Sequence, residues 1–200
     1  IQVGMPLIPA EAGAAIFFEL NFDLRSDEID LAALQQSLHS CEADSANSWV
    51  AYEPRELERL KAFRHLLPET VNGIIAERKK LYPGIHKLGT DLSVPDDSLR
   101  TMWQLYRDGC NASGLEWLAF GHIGNNHLHV NILPRDEHEV EQGLALYTQF
   151  AQKAVALGGS VSAEHGIGKL KRKFFRLMFT PAQIGQMKQV KAALDPLGLL

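Results

Sequence analysis

Two hundred residues with 46% hydrophobic content can build one large domain or two small ones around a packed core. A net charge of −4, with histidines neutral, excludes a basic field for nucleic acid or anionic lipid. No apolar run approaches the roughly 18 residues of a membrane span, and the first residues lack a signal-peptide pattern. Cys41 and Cys110, the only cysteines, have no metal-like spacing and make no disulfide framework, so a reduced, cytoplasmic protein is expected.

Both ends read as cut. The chain runs almost at once into Ala14-Ala15-Ile16-Phe17-Phe18, and it stops on an apolar pair after the turn signal Asp195-Pro196. A strand is predicted at about 14–20, then a helix from 27 to 40 with Ser26 as N-cap and Asp27 and Glu28 in its first turn. Residues 45–52 suit a short strand. Helical spacing returns at 54–66, and Pro68 is expected to break or restart a helix that runs on to about Lys80. Ile85 and then Asp91 to Val94 read as extended, closed by Pro95. A helix follows from Asp96 to Cys110, ended by Asn111 and Gly114.

Leu115 to Phe120 is a predicted strand, 121–126 a loop, and His127 to Leu133 a second strand. A long helix over 137–157 stops at Gly158-Gly159, Ser160 to Ala163 is extended, and the remainder is helical with Thr180-Pro181 opening the last helix. Several strands are separated by short loops only, which suits an antiparallel α+β sheet better than a parallel one. No glycine-rich phosphate loop follows the first strand, so no dinucleotide site is expected within these residues.

Two segments carry chemistry. The first, Gly121-His122-Ile123-Gly124-Asn125-Asn126-His127-Leu128-His129-Val130-Asn131, holds three of the eight histidines. Alternation puts His127, His129 and Asn131 on one face and Leu128, Val130 and Ile132 on the other. The apolar face must go to the core, so the histidine face looks into a cleft, a second domain or solvent. The tight turn can fold His122 back towards His129, and a pair of imidazoles suits a transition metal. A solvated sheet face is the plainer alternative.

The second segment is Gly158-Gly159-Ser160-Val161-Ser162-Ala163-Glu164-His165-Gly166-Ile167-Gly168-Lys169. Its glycines allow a bent backbone and close approach of a ligand. Glu164 can complete a His-His-Glu set that leaves positions open for substrate, with His165 free as an acid or base near neutral pH. The plainer alternative is a helix connection whose glycines only cap.

Together, GHIGNNHLHVNI and GGSVSAEHGIGKLKR resemble the paired signatures of the C-terminal domain of FAD-linked oxidases in the vanillyl-alcohol oxidase superfamily. That group includes D-lactate dehydrogenase, glycolate oxidase and D-2-hydroxyglutarate dehydrogenase, and the resemblance covers all of residues 1–200. It implies a ferredoxin-like antiparallel sheet with helices on one face and a C-terminal helical segment. It implies a divalent metal (zinc, manganese or iron) on His122, His129 and Glu164, with His165 as catalytic base. Asn131 would face the substrate, a small 2-hydroxy acid, and Arg64 would grip its carboxylate. Lys87 is the match for the family's second basic residue, two positions from where the pattern puts it.

FAD would be bound mainly by a separate domain of the same enzyme, and an iron–sulfur centre is among the electron acceptors the resemblance allows. These residues alone are therefore expected to bind no FAD and turn over nothing. One departure stands out: the family loop reads Gly-Asp-Gly-Asn where this chain has Gly124-Asn125-Asn126-His127. Two alternatives follow from other classes, a non-catalytic ferredoxin-like binding or dimerisation module and a metal-independent relative.

Overall fold

The structure, a computed structural model, describes residues 8–20, 31–43, 48–168 and 171–199. The chain divides into two compact units, Ile1–Thr70 and Val71–Leu200.

In the first unit, helix α1 spans Leu31–Ser40, within the predicted 27–40, while its proposed cap Ser26 and acidic first turn lie outside the described residues. Residues 14–20 form no strand. Ile16, Phe18 and Leu20 are each at least half exposed. An apolar run becomes a strand only when another backbone takes its hydrogen bonds and another surface covers its side chains. Residues 48–52 are irregular as well, and the rest of that predicted strand is outside the described residues. Trp49 packs edge-on against Phe63, with ring centroids 5.5 Å apart.

Helix α2, Pro54–Lys79, runs through Pro68 without a break. The missing N–H and the ring's clash with the preceding turn cost about 3 kcal/mol. One turn further on, Val71 and Ile75 are buried against Leu133, with Leu118 and Phe120 beside them. Burial of two such side chains contributes about 3–6 kcal/mol, enough to hold the helix through the proline.

The second unit is built on a three-stranded antiparallel sheet in the order β1-β3-β2. Its strands are β1 (Leu88–Gly89), β2 (Trp117–His122) and β3 (His127–Ile132). This is the expected α+β arrangement. Strands β2 and β3 form a hairpin whose register pairs His122 with His127 and Phe120 with His129. A 3-10 turn at Ile123–Asn125 joins them, closed by Asn126 in the left-handed region (φ 51°). A Cβ on Gly121 would overlap the His127 carbonyl oxygen, so only glycine lets the hairpin close this tightly.

Helices α3 (Leu99–Ser113) and α4 (Glu137–Ala156) cover one face. There Val130 and Ile132 meet Met102, Tyr106, Cys110, Leu146 and Phe150 in the main core, and Tyr106 and Phe150 meet edge-to-face at 4.9 Å. Helix α3 ends as expected on Gly114, at φ 68°. The end of α2 supplies the smaller apolar contact on the other face, where the Arg78 guanidinium donates to the Leu133 carbonyl (2.6 Å) and to Glu116. Helices α5 (Arg172–Met178) and α6 (Pro181–Leu194) form the C-terminal helical segment. The α6 start is a capping box in which Thr180 and Gln183 satisfy each other's backbone N–H groups.

Between α4 and α5, Ser160 pairs with Ser93 in an antiparallel bridge. A Cβ at Gly159 would overlap the Ser93 and Ala154 carbonyl oxygens. This brings the 160–165 segment onto the edge of the sheet beside the hairpin histidines. Among the described residues, no helix is long and apolar enough to cross a membrane.

Candidate functional site

Three segments of the second unit converge: Thr90-Asp91 beyond β1, the β2–β3 hairpin, and Ser162 to His165. Alternation in β3 is as expected, with Val130 and Ile132 in the main core. The histidine face is not open to solvent, however: His127, His129 and Asn131 are all more than nine-tenths buried. The 160–165 segment, more than 30 residues along the chain from His129, contributes to this cover, and its His165 ring stacks on His129 at 5.0 Å and 5°.

The Glu164 carboxylate is the centre of the cluster. Its Oε1 lies 3.0 Å from His129 Nε2, 3.4 Å from His165 Nε2 and 3.9 Å from His127 Nδ1. Its Oε2 lies 3.7 Å from His122 Nε2. Partial burial works against ionisation of Glu164, and the hydrogen bond from His129 and the imidazoles around it outweigh that, so its pKa is lowered.

His129 Nδ1 is 2.9 Å from the Thr90 carbonyl oxygen, which only accepts, so Nδ1 carries the proton. Its Nε2 then either bears a second proton or presents a bare lone pair to a carboxylate oxygen. When protonated, Nε2 donates to Glu164 Oε1; when bare, it and the carboxylate oxygen 3.0 Å away suit a shared cation. Two imidazoles and a carboxylate, one imidazole fixed from behind by a carbonyl, are a donor set that a divalent transition ion takes. His129 and Glu164 fit the metal that the resemblance implies, and His122 faces the other Glu164 oxygen at 3.7 Å.

Asp91 holds the cluster from behind. Fully buried, it accepts from the Glu164 N–H at Oδ1 (3.2 Å). At Oδ2 it accepts from the His165 N–H (3.1 Å), the Ser162 hydroxyl (3.0 Å) and the Lys171 ammonium. Burial alone would raise its pKa; those donors, Lys171 foremost, reverse this and bring it down to about 2. The ligand atoms of Asp91, His129, Glu164 and His165 all lie within 4.8 Å of one another. With its oxygens already engaged, Asp91 serves as a bracket for the Glu164-His165 backbone.

His127 Nε2 lies 3.0 Å from Asp91 Oδ1 but is not aligned to hydrogen-bond with it. Burial lowers the His127 pKa, with His129 acting in the same direction against Asp91 and Glu164. Asn131 donates from Nδ2 to the His129 carbonyl (3.2 Å). At Gly89, a Cβ would stand 3.1 Å from Asn131 Oδ1 and 3.9 Å from Lys87 Cε, so these two predicted substrate residues flank one small residue. Burial lowers the Lys87 pKa. Arg64 belongs to the first unit, where its guanidinium stands over the Phe17 ring at 5.5 Å.

The second unit thus brings together His129, Glu164 and His165, with His122 more exposed and 3.7 Å from the other Glu164 oxygen, Asn131 on β3 and Lys87 just before β1. Asp91, Thr90, Ser162 and Lys171 were not singled out by the sequence. The available signal was an aspartate inside an extended stretch whose neighbours Leu92 and Val94 are core residues.

The chain is 27% identical to D-2-hydroxyglutarate dehydrogenase of Stutzerimonas stutzeri over 201 residues, which is 96% of this chain and 40% of that protein. It is 30% identical to the glycolate oxidase subunit GlcD of Bacillus subtilis over 55% of this chain and 24% of that protein. It is 29% identical to D-lactate dehydrogenase of Archaeoglobus fulgidus over 64% of this chain and 28% of that protein. The chain thus spans 40% or less of the length of these relatives. The family model for the C-terminal domain of FAD linked oxidases matches residues 4–200, and the chain belongs to that family.

Proposed function

We propose that the chain is the substrate- and metal-binding part of an FAD-dependent enzyme, working in the cytoplasm, that oxidises a D-2-hydroxy acid to the 2-oxo acid. The observation that carries this reading is one carboxylate, Glu164, faced by both His122 and His129, with His165 stacked on His129. The names of the relatives, which act on 2-hydroxyglutarate, glycolate and lactate, support the substrate class.

His122, His129 and Glu164 would hold the metal. When bound, the metal supplies Lewis acidity to the substrate's 2-hydroxyl, and FAD, held by a domain beyond this chain, supplies the acceptor for the hydride from C2. His165, three-fifths exposed at the rim of the cluster, takes the hydroxyl proton on a ring nitrogen. Its backbone N–H on Asp91 fixes where that ring can swing. Arg64 would bind the substrate carboxylate by charge-assisted hydrogen bonds. Lys87 and Asn131, whose Oδ1 lies beside Gly89 in the second unit, would contact the substrate.

The test uses the whole enzyme with D-lactate, glycolate and D-2-hydroxyglutarate. His165→Ala is expected to lower kcat by about 10²–10⁴-fold with flavin content unchanged, the range typical of a lost general base. Full turnover in that variant would remove His165 from the reaction. Activity that survives His122→Ala and is indifferent to added metal would favour a metal-independent relative.

A further inference from the structure

We propose that His127 is a third imidazole ligand of the metal site, which tunes the site towards zinc and away from manganese. The proposal rests on the metal reading above and concerns the position where this chain departs from its family's loop pattern.

Strand alternation puts His127 on the same face as His129, one pleat nearer the turn, with the two rings edge-to-face at 4.3 Å. Its side chain is 5% exposed, and Nε2 is buried without a hydrogen-bond partner. Nε2 lacks an aligned partner although Asp91 Oδ1 is 3.0 Å away, and Nδ1 points towards Glu164 Oε1 at 3.9 Å. A buried imidazole in this condition is unfavourable unless something completes it.

The arrangement repeats that of His129. There an acceptor behind the ring, the Thr90 carbonyl, takes one N–H, and the other nitrogen faces Glu164 Oε1. For His127 the acceptor behind the ring is Asp91, a carboxylate fixed in place by Lys171, Ser162 and two backbone N–H groups. Metal-ligating histidines characteristically give their other N–H to such an acceptor. A small turn of the ring aligns Nε2–H with Asp91 Oδ1 and frees the Nδ1 lone pair for a cation beside Glu164. His165 differs: it is largely exposed, and at 3.9 Å its Nδ1 is too far from Asp91 for a hydrogen bond. It remains available for proton transfer. Three imidazoles and one carboxylate form a nitrogen-rich set, and imidazole suits zinc whereas manganese prefers oxygen ligands.

Long-range ¹H–¹⁵N NMR of the purified chain, labelled on histidine and titrated with zinc, reads each ring nitrogen directly. The expected result is a metal-bound shift at His127 Nδ1 together with His122 and His129. In parallel, competition between zinc and manganese in His127→Asn should show zinc preference reduced at least tenfold from the unsubstituted chain. Shifts confined to His122 and His129, or unchanged preference in the variant, would overturn this proposal and leave the His-His-Glu site standing. No shift at any of the three would instead overturn the metal reading itself.

Discussion

Asp91 shows what one buried charge does in this fold. It takes four hydrogen bonds, from Ser162, Glu164, His165 and Lys171, and each partner lies 71 to 80 residues along the chain. Such a pairing carries no periodic signal, which is why alternation revealed His127, His129 and Asn131 but not the aspartate that braces the segment opposite them. Removing one member of a buried ion pair leaves the other uncompensated and costs about 3–5 kcal/mol. Asp91→Ala should therefore lose roughly that much stability in urea unfolding and weaken metal binding with it. A loss under about 1 kcal/mol would contradict the bracket role, since that is the size expected of an exposed pair.

At the scale of elements, the hairpin is the piece that holds the site in register. The β2–β3 turn was legible from its polar residues, and the α4 span from its pattern. The uninterrupted course of α2 through Pro68 was not, because Val71 and Ile75 hold it by contacts with residues far along the chain. The expected strand at 14–20 failed for the complementary reason, since hydrophobicity there is not matched by a partner strand among the described residues. Gly121→Ala should force β2 away from β3, costing about 1–3 kcal/mol by overpacking and lowering metal affinity as His122 moves. Thermal melts and metal titrations together would check it; a neutral variant would show that the close approach of the strands is not needed.

The α4 start also carries a pH dependence. The Glu139 carboxylate accepts from Arg135 Nε (2.7 Å) and from its backbone N–H (2.8 Å), while the Glu139 N–H donates to Asp136 Oδ1 (2.9 Å). The Arg135 side chain is the first cause that lowers the Glu139 pKa, ahead of the opposing effect of burial. A carboxyl depressed on folding adds stability that is fully present above its unfolded value, about 4.3, and is lost as pH falls through the lower folded one. Glu139→Gln should flatten the stability profile between about pH 5 and pH 3 relative to the unsubstituted chain. Parallel acid unfolding curves for the two would contradict this.

At the scale of the molecule, the fold supplies a sheet whose one face is core and whose other face, at one end, is a cluster of imidazoles around a carboxylate. That division is readable in the alternation of β3 alone. Alternation does not reveal that the imidazole face is itself largely closed over by the 160–165 segment, because the pairing of Ser160 with Ser93 joins stretches far apart in the chain. The cluster is therefore assembled from residues of the second unit alone. A ligand that binds only the folded form stabilises it, by about 4 kcal/mol at a thousandfold excess over Kd. Metal should accordingly raise the melting temperature, and chelation should reverse the gain.

Metal content, measured by mass spectrometry on the purified chain beside His129→Ala, decides whether this cluster is a metal site. About one zinc, manganese or iron per chain is expected, lost in the variant. No metal in either protein, after incubation with each ion in turn, would contradict it and withdraw the roles assigned to His122, His129 and Glu164.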